Sequence, residues 1–130
     1  MPDVEILSFG YLHGEPPTAH IVLDLRHHFR DPHISPELRH LTAHDQAVRD
    51  TVAATPGIAE LVRATAAAVA AYRLGPSATA RPLIVATGCA GGRHRAASVA
   101  LELQLLLSSA EFDLSVSVAH RDLAKPVVNR

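Results

Sequence analysis

The apolar positions along the chain change period several times, and each change marks an element. Val4 to Phe9 and Ile21 to Leu25 are short, rich in β-branched residues and closed by Gly10 and by a charged cluster, so both predict strands. Pro82 to Thr87 is a continuous apolar run ending at Gly88, the pattern of a strand buried on both faces. Leu114, Val116 and Val118 alternate with serine and alanine, which predicts a strand with one buried face, near a sheet edge. Helical spacing places Ile58, Leu61, Val62, Val69 and Tyr72 on one side of a helix. Thr55 is its expected N-cap, Pro56 its first residue and Gly75-Pro76 its stop. The alanine runs at 66–68 and 70–71 belong to this helix, because alanine is the best helix former. A second helix is expected from Arg93 or His94 to about Ala110, with leucines facing several directions and therefore well buried. A weaker one covers Thr42 to Ala54, with Thr42 as its cap and Asp45 at its third position.

Strands alternating with helices predict an α/β domain with a small, mostly parallel four-stranded sheet. The 130 residues make one domain, with enough chain for a core without staples. Ligands of such sheets bind at the carboxyl ends of the strands, and the chemically unusual residues fall there.

The segment Thr87-Gly88-Cys89-Ala90-Gly91-Gly92-Arg93-His94-Arg95 joins the third strand to a helix. Its glycines let successive N–H groups turn toward one anion, and the helix start adds free N–H groups and the positive end of its dipole. Arg95, six residues after Cys89, is expected to fold back and grip an oxygen pair, with Arg93 and His94 as further donors. A phosphate or another compact oxyanion is the ligand class that this loop fits. No Gly-x-x-x-x-Gly-Lys-Ser/Thr motif is present, which excludes a Walker A loop. The spacing also resembles the Cys-x5-Arg loop of cysteine-dependent phosphatases, in which a thiolate attacks phosphorus. On that alternative Cys89 is the nucleophile and Asp122, Asp31 or Asp24 the general acid. Gly88 and Ala96 depart from it, standing where such enzymes usually have a histidine and a hydroxyl residue.

Elsewhere, Asp24 and Arg26 point the same way at the end of the second strand, which suits a charge pair turning Arg26 toward a ligand. Ser8 and Gly10 close the first strand and supply a further wall. His120 and Arg121 follow the fourth strand, beside the loop. His40 and His44, four apart, would share a helix face, but no carboxylate completes a metal set and none is expected. Cys89 is the single cysteine, which excludes an internal disulfide and a multi-cysteine cluster. The formal charge of -1 gives no basic field for nucleic acid. No apolar run reaches membrane-spanning length and the first residues lack a signal-peptide pattern, so a cytoplasmic protein without membrane contact is expected.

Around the loop, the chain resembles the C-terminal domain of the RapZ (YvcJ-like) family of RNase adapter proteins. The resemblance runs through Ser8-Phe9-Gly10-Tyr11, Gly14, Asp24-Leu25-Arg26 and Asp31-Pro32-His33. It continues with Leu38-Arg39, Thr42, Asp45 and the block from Gly88 to Arg95, and ends in His120-Arg121-Asp122-Leu123 and Lys125. It implies a regulatory domain that senses glucosamine 6-phosphate and binds small RNA, with ATP binding confined to a separate N-terminal domain. Here Ala90 and Ala96 replace hydroxyl residues of the family loop, and only Arg121, Lys125 and Arg130 remain of its basic tail. Non-specific RNA affinity takes on the order of 6–10 phosphate contacts. Six arginines (26, 30, 39, 93, 95 and 121) just approach that number, and none turned onto a small ligand can also hold RNA.

The expected function is therefore binding of a phosphorylated small metabolite, an amino sugar phosphate or similar, without chemical conversion and without a cofactor. The ligand contacts are residues 89–95 with Arg26, His33 and Arg121, supported by Ser8, Gly10, Asp24 and Thr42. A small-RNA adapter is the alternative and phosphatase chemistry the second. A protein partner and self-association stay open.

Overall fold

The computed structural model describes residues 1–128; Arg130 of the basic tail lies outside them. The chain runs β1 (Val4–Gly10), β2 (Ile21–Asp24), α1 (Gln46–Ala54), α2 (Ile58–Arg73), β3 (Leu83–Cys89), α3 (Arg95–Ser108) and β4 (Val116–His120). Short 3₁₀ turns at Tyr11–His13 and Pro32–Ile34 punctuate the connections on either side of β2. All pairings are parallel, in the order β2-β3-β1-β4. β3 is therefore central, as its unbroken apolar run predicts, and β4 is an edge, as its alternation predicts.

The register sets Val4 opposite Leu83, Ile6 opposite Val85, Ser8 opposite Thr87 and Gly10 opposite Cys89. The residues of this face enter one core with Val62, Ala66 and Val69 of α2 and Ala96, Val99, Ala100, Leu103 and Leu107 of α3. The opposite face stays more open. Val22 is exposed there, while Leu7 and Ile84 are half-buried. No single helix among the described residues is long and apolar enough to cross a membrane.

Three local expectations are corrected, two of them by cap geometry and one by burial. Thr55 ends α1 instead of starting α2: its N–H bonds the Val52 carbonyl and its hydroxyl the Thr51 carbonyl, while Gly57 precedes α2. Thr42 does not cap α1, which starts at Gln46 with Asp45 as its N-cap. The Thr42 N–H donates to the Asp45 carboxylate at 2.9 Å, so half of the expected capping box forms one turn too early. α3 is not buried all round: Leu103 and Leu107 are fully buried but Leu105 is 69% exposed.

The connections from β1 and from β3 leave in opposite directions, one toward β2 and the other toward β4. Their carboxyl ends are therefore adjacent at a topological switch point, where open α/β sheets form their crevices. Leu103→Ala is expected to cost about 2–5 kcal/mol in urea unfolding, and Leu105→Ala less than about 0.5 kcal/mol. Equal effects would show that α3 packs differently.

Candidate functional site

The loop after β3 is held by backbone packed on backbone. A Cβ on Gly10 would stand 2.4 Å from the carbonyl carbon of Gly91 and 2.7 Å from the Gly92 nitrogen. Gly92 itself has φ +77, and a Cβ there would meet the Gly10 nitrogen at 2.8 Å. Asp122, wholly buried, seals this contact by accepting the Gly10 N–H at 2.7 Å. Arg121 and Lys125 pair with the same carboxylate at 2.9 and 2.6 Å. The Sγ of Cys89 accepts the N–H groups of Gly92 and Ala96, both at 3.3 Å. The N–H groups of Gly91, Arg93 and His94 have no acceptor among the described residues, although Gly91 and His94 are buried.

The cations expected to meet a ligand are largely engaged in building this edge. Arg95 is 2% exposed. Its Nη1 donates to the carbonyls of Leu25 at 2.8 Å, Arg26 at 3.0 Å and Phe29 at 3.1 Å, and its Nη2 pairs with Asp31 at 3.2 Å. It therefore anchors the segment after β2 to the start of α3. Arg93 spans two other segments, reaching the carbonyls of Lys125 at 2.8 Å and His40 at 3.0 Å. The ring Nε2 of His94 lies 2.8 Å from the Leu41 carbonyl, so it carries the proton and donates. Arg121 reaches the carbonyls of Gly10, Gly14 and Glu15.

Asp24 and Arg26 pair at 2.7 Å, although β2 ends at Asp24 and Arg26 lies in the turn beyond it, not on the strand. That guanidinium holds the Asp24 carboxyl down at about 2. Arg26 also lies 3.6 Å over the Tyr11 ring, a cation–π contact at the end of β2. His33 is placed by Asp31, whose carboxylate accepts its N–H at 3.0 Å, and its carbonyl accepts from Arg39. The Thr42 hydroxyl accepts the His44 N–H. His40 and His44 lie in turns ahead of α1, so they share no helix face, and no group of three metal-ligating side chains converges among the described residues.

Several working residues escape a sequence reading. Tyr11 meets Phe9 edge-on at 4.8 Å, and the pair lies across Gly88, whose missing side chain makes the room. A Cβ there would be 2.3 Å from Phe9 Cζ and 2.7 Å from Tyr11 Cε2, so the histidine that phosphatase loops usually carry at that position would have to displace both rings. The aromatic at position 9 and the glycine at 88 were the available signal, but only the strand register brings them together. Ser8 also acts through its side chain: its hydroxyl lies 2.6 Å from His120 Nδ1, directly across the β1–β4 pairing. Asp122, read from sequence as a possible acid, is the buried keystone of the loop.

Burial pushes the Asp122 carboxyl up, but the Gly10 N–H, Lys125 and Arg121 outweigh it and keep the group below the usual aspartate range. Burial is also the main cause that lowers His94 and His120, with the nearby His44 adding to the effect on His120. Both histidines are therefore neutral in the fold near pH 7. Because their folded values lie below the ordinary 6.5, their contribution to stability is complete above that pH. It is lost as the pH falls from there through the depressed values. Urea midpoints measured between pH 7.5 and 5 should fall, and His94→Gln should flatten that slope; a pH-independent midpoint would contradict the assigned burial.

Two substitutions test the architecture. Arg95→Ala removes the guanidinium that pairs with Asp31 and donates to three carbonyls, and is expected to destabilise the domain by about 3–5 kcal/mol. Gly10→Ala is expected to displace the loop and cost more than about 2 kcal/mol in chemical denaturation, whereas an unchanged midpoint would refute the close backbone contact.

Residues 2–124 match the family model of the RapZ C-terminal domain. The chain is 42% identical over 126 residues to a protein of Mycobacterium leprae (strain Br4923) named as a nucleotide-binding protein, covering 94% of this chain and 41% of the relative. A nucleotide-binding protein of Clavibacter michiganensis subsp. michiganensis is 40% identical over 123 residues, covering 94% and 42%. One of Thermobifida fusca is 38% identical over 121 residues, covering 92% and 40%. The chain thus spans about two fifths of the length of these curated relatives. The family model covers nearly the whole chain, and this chain belongs to the RapZ C-terminal domain family.

Proposed function

We propose that the domain binds a phosphorylated small metabolite, of the amino sugar phosphate class, at the carboxyl edge of β1 and β3, and that it serves sensing or regulation. The observation that carries this reading is the set of N–H groups of Gly91, Arg93 and His94, which lack an acceptor among the described residues at the start of α3. Buried backbone donors are rarely left without a partner, and here they sit at the positive end of a helix dipole. Arg95 and Arg93 support the site by fixing the segments around it. Arg26, His33 and Arg121 stand on those segments as its outer wall. The relatives' printed name, nucleotide-binding protein, is in keeping with a phosphate-bearing ligand.

The same geometry weighs against turnover. In a Cys-x5-Arg enzyme the arginine must reach the transferred phosphoryl group, but the Arg95 guanidinium lies among the carbonyls of residues 25–29. Of the three candidate acids, Asp24 is ionised, Asp122 is held ionised by its cations and Asp31 pairs with Arg95. The engagement of Arg93, Arg95 and Arg121 with backbone carbonyls likewise leaves fewer guanidinium groups for RNA than the sequence count suggested.

Titration of the 15N-labelled domain with inorganic phosphate and with glucosamine 6-phosphate tests the site. The largest amide shifts are expected at Gly91, Arg93 and His94, with tighter binding of the sugar phosphate. Shifts confined to other residues would refute the assigned cradle. Tight RNA binding that falls steeply with salt would transfer the function to the adapter reading.

A further inference from the structure

At the opposite, amino-terminal edge of the sheet, a groove of about 280 Å³ opens between the end of α2, the loop after it and the start of β2. None of the residues of the glycine loop lines it. We infer that this groove is a binding site for a small aromatic anion, a planar ring carrying a carboxylate or similar group.

The groove has the build of a formed site. Arg73 ties the loop down, donating to the Ala78 carbonyl at 2.6 Å and pairing with Asp3 at 3.0 Å. The loop braces itself through Gly75 N–H to the Tyr72 carbonyl, Ala78 N–H to the Gly75 carbonyl and Ala80 N–H to the Ser77 carbonyl. Pro76 and Pro82 stiffen its two ends, so little conformational freedom remains to be lost on binding.

Its chemistry is that of an aromatic corner beside a cation. The rings of His20 and Tyr72 stand 6.4 Å apart at 55°, and both line the groove. That arrangement lets an inserted ring stack on one and meet the other edge-on. His20 is held in one orientation, because its backbone N–H donates to the Ile84 carbonyl and its Nδ1 accepts the Ile84 N–H, each at 2.9 Å. In the neutral ring the proton therefore sits on Nε2, leaving that atom as a donor. Pro82 and Leu83 supply apolar wall. Arg81, exposed on the rim, has no ion pair among the described residues, unlike Arg73 beside it. A cavity of about 150 Å³ accommodates benzene, so the larger groove has room for one or two fused rings with an acidic substituent. An anion reaching Arg81, with its ring against Tyr72, satisfies the whole set.

The test uses 2-naphthoate, with uncharged 2-naphthalenemethanol and acetate as its two halves. In 15N-detected titration, 2-naphthoate is expected to shift His20, Tyr72, Ala78 and Arg81, and to bind more tightly than either half. Tyr72→Ala should weaken it about tenfold and Arg81→Gln about threefold to tenfold. Tyr72 is half exposed, so its truncation leaves the core intact, and the unchanged spectrum of the remaining residues verifies this. Equal affinity for 2-naphthalenemethanol and 2-naphthoate would overturn the anion part of the assignment. Shifts at the glycine loop alone, or an unchanged affinity in Tyr72→Ala, would overturn the site.

Discussion

The structure turns on one close contact, that of the Gly10 backbone with the backbone of Gly91 and Gly92. Two parallel strands leave their sheet side by side in opposite directions, and their exits can touch only if neither carries a side chain at the crossing. Asp122, arriving from beyond β4, closes the junction by accepting the Gly10 N–H from inside the protein. A carboxylate that deeply buried is tolerable because Arg121 and Lys125 share its charge. Three chain segments far apart in sequence thereby become one edge, and the loop acquires a fixed shape.

A second set of long side chains radiates from this junction. Arg93 and Arg95 begin the helix end of the loop and reach outward to the backbone carbonyls of five other positions. Guanidinium groups suit this work, since one planar fork can serve several acceptors in a fixed geometry. The loop's charge thus serves the architecture in part, and the backbone N–H groups of Gly91, Arg93 and His94 stay without an acceptor among the described residues. The proposed site therefore reads the shape and charge of a compact anion through the backbone.

The sequence showed most of the framework. Period and run length located all four strands and the two long helices, because burial on one or both faces writes itself directly into residue choice. It erred where short polar residues compete for caps: Thr55 and Thr42 both have the chemistry of an N-cap, and which end they serve depends on neighbouring backbone that the pattern does not encode. The long reach of Arg95 was similarly opaque. Its spacing from Cys89 suggested a return over the loop, but the carbonyls of Leu25, Arg26 and Phe29 compete for it from a segment nearly 70 residues away.

By itself the sequence determined that this is an α/β domain with a glycine-rich loop between its third strand and the following helix, because hydrophobic period and glycine spacing are local properties. Tertiary structure alone decided which donors in that loop remain unused. Whether an arginine holds a ligand or holds the fold depends on which carbonyls and carboxylates surround it, and those come from the long segment between β2 and α1 and from the residues after β4. It also paired His20 with Tyr72 across the far edge of the sheet, two residues whose separation of 52 positions gave them no common pattern.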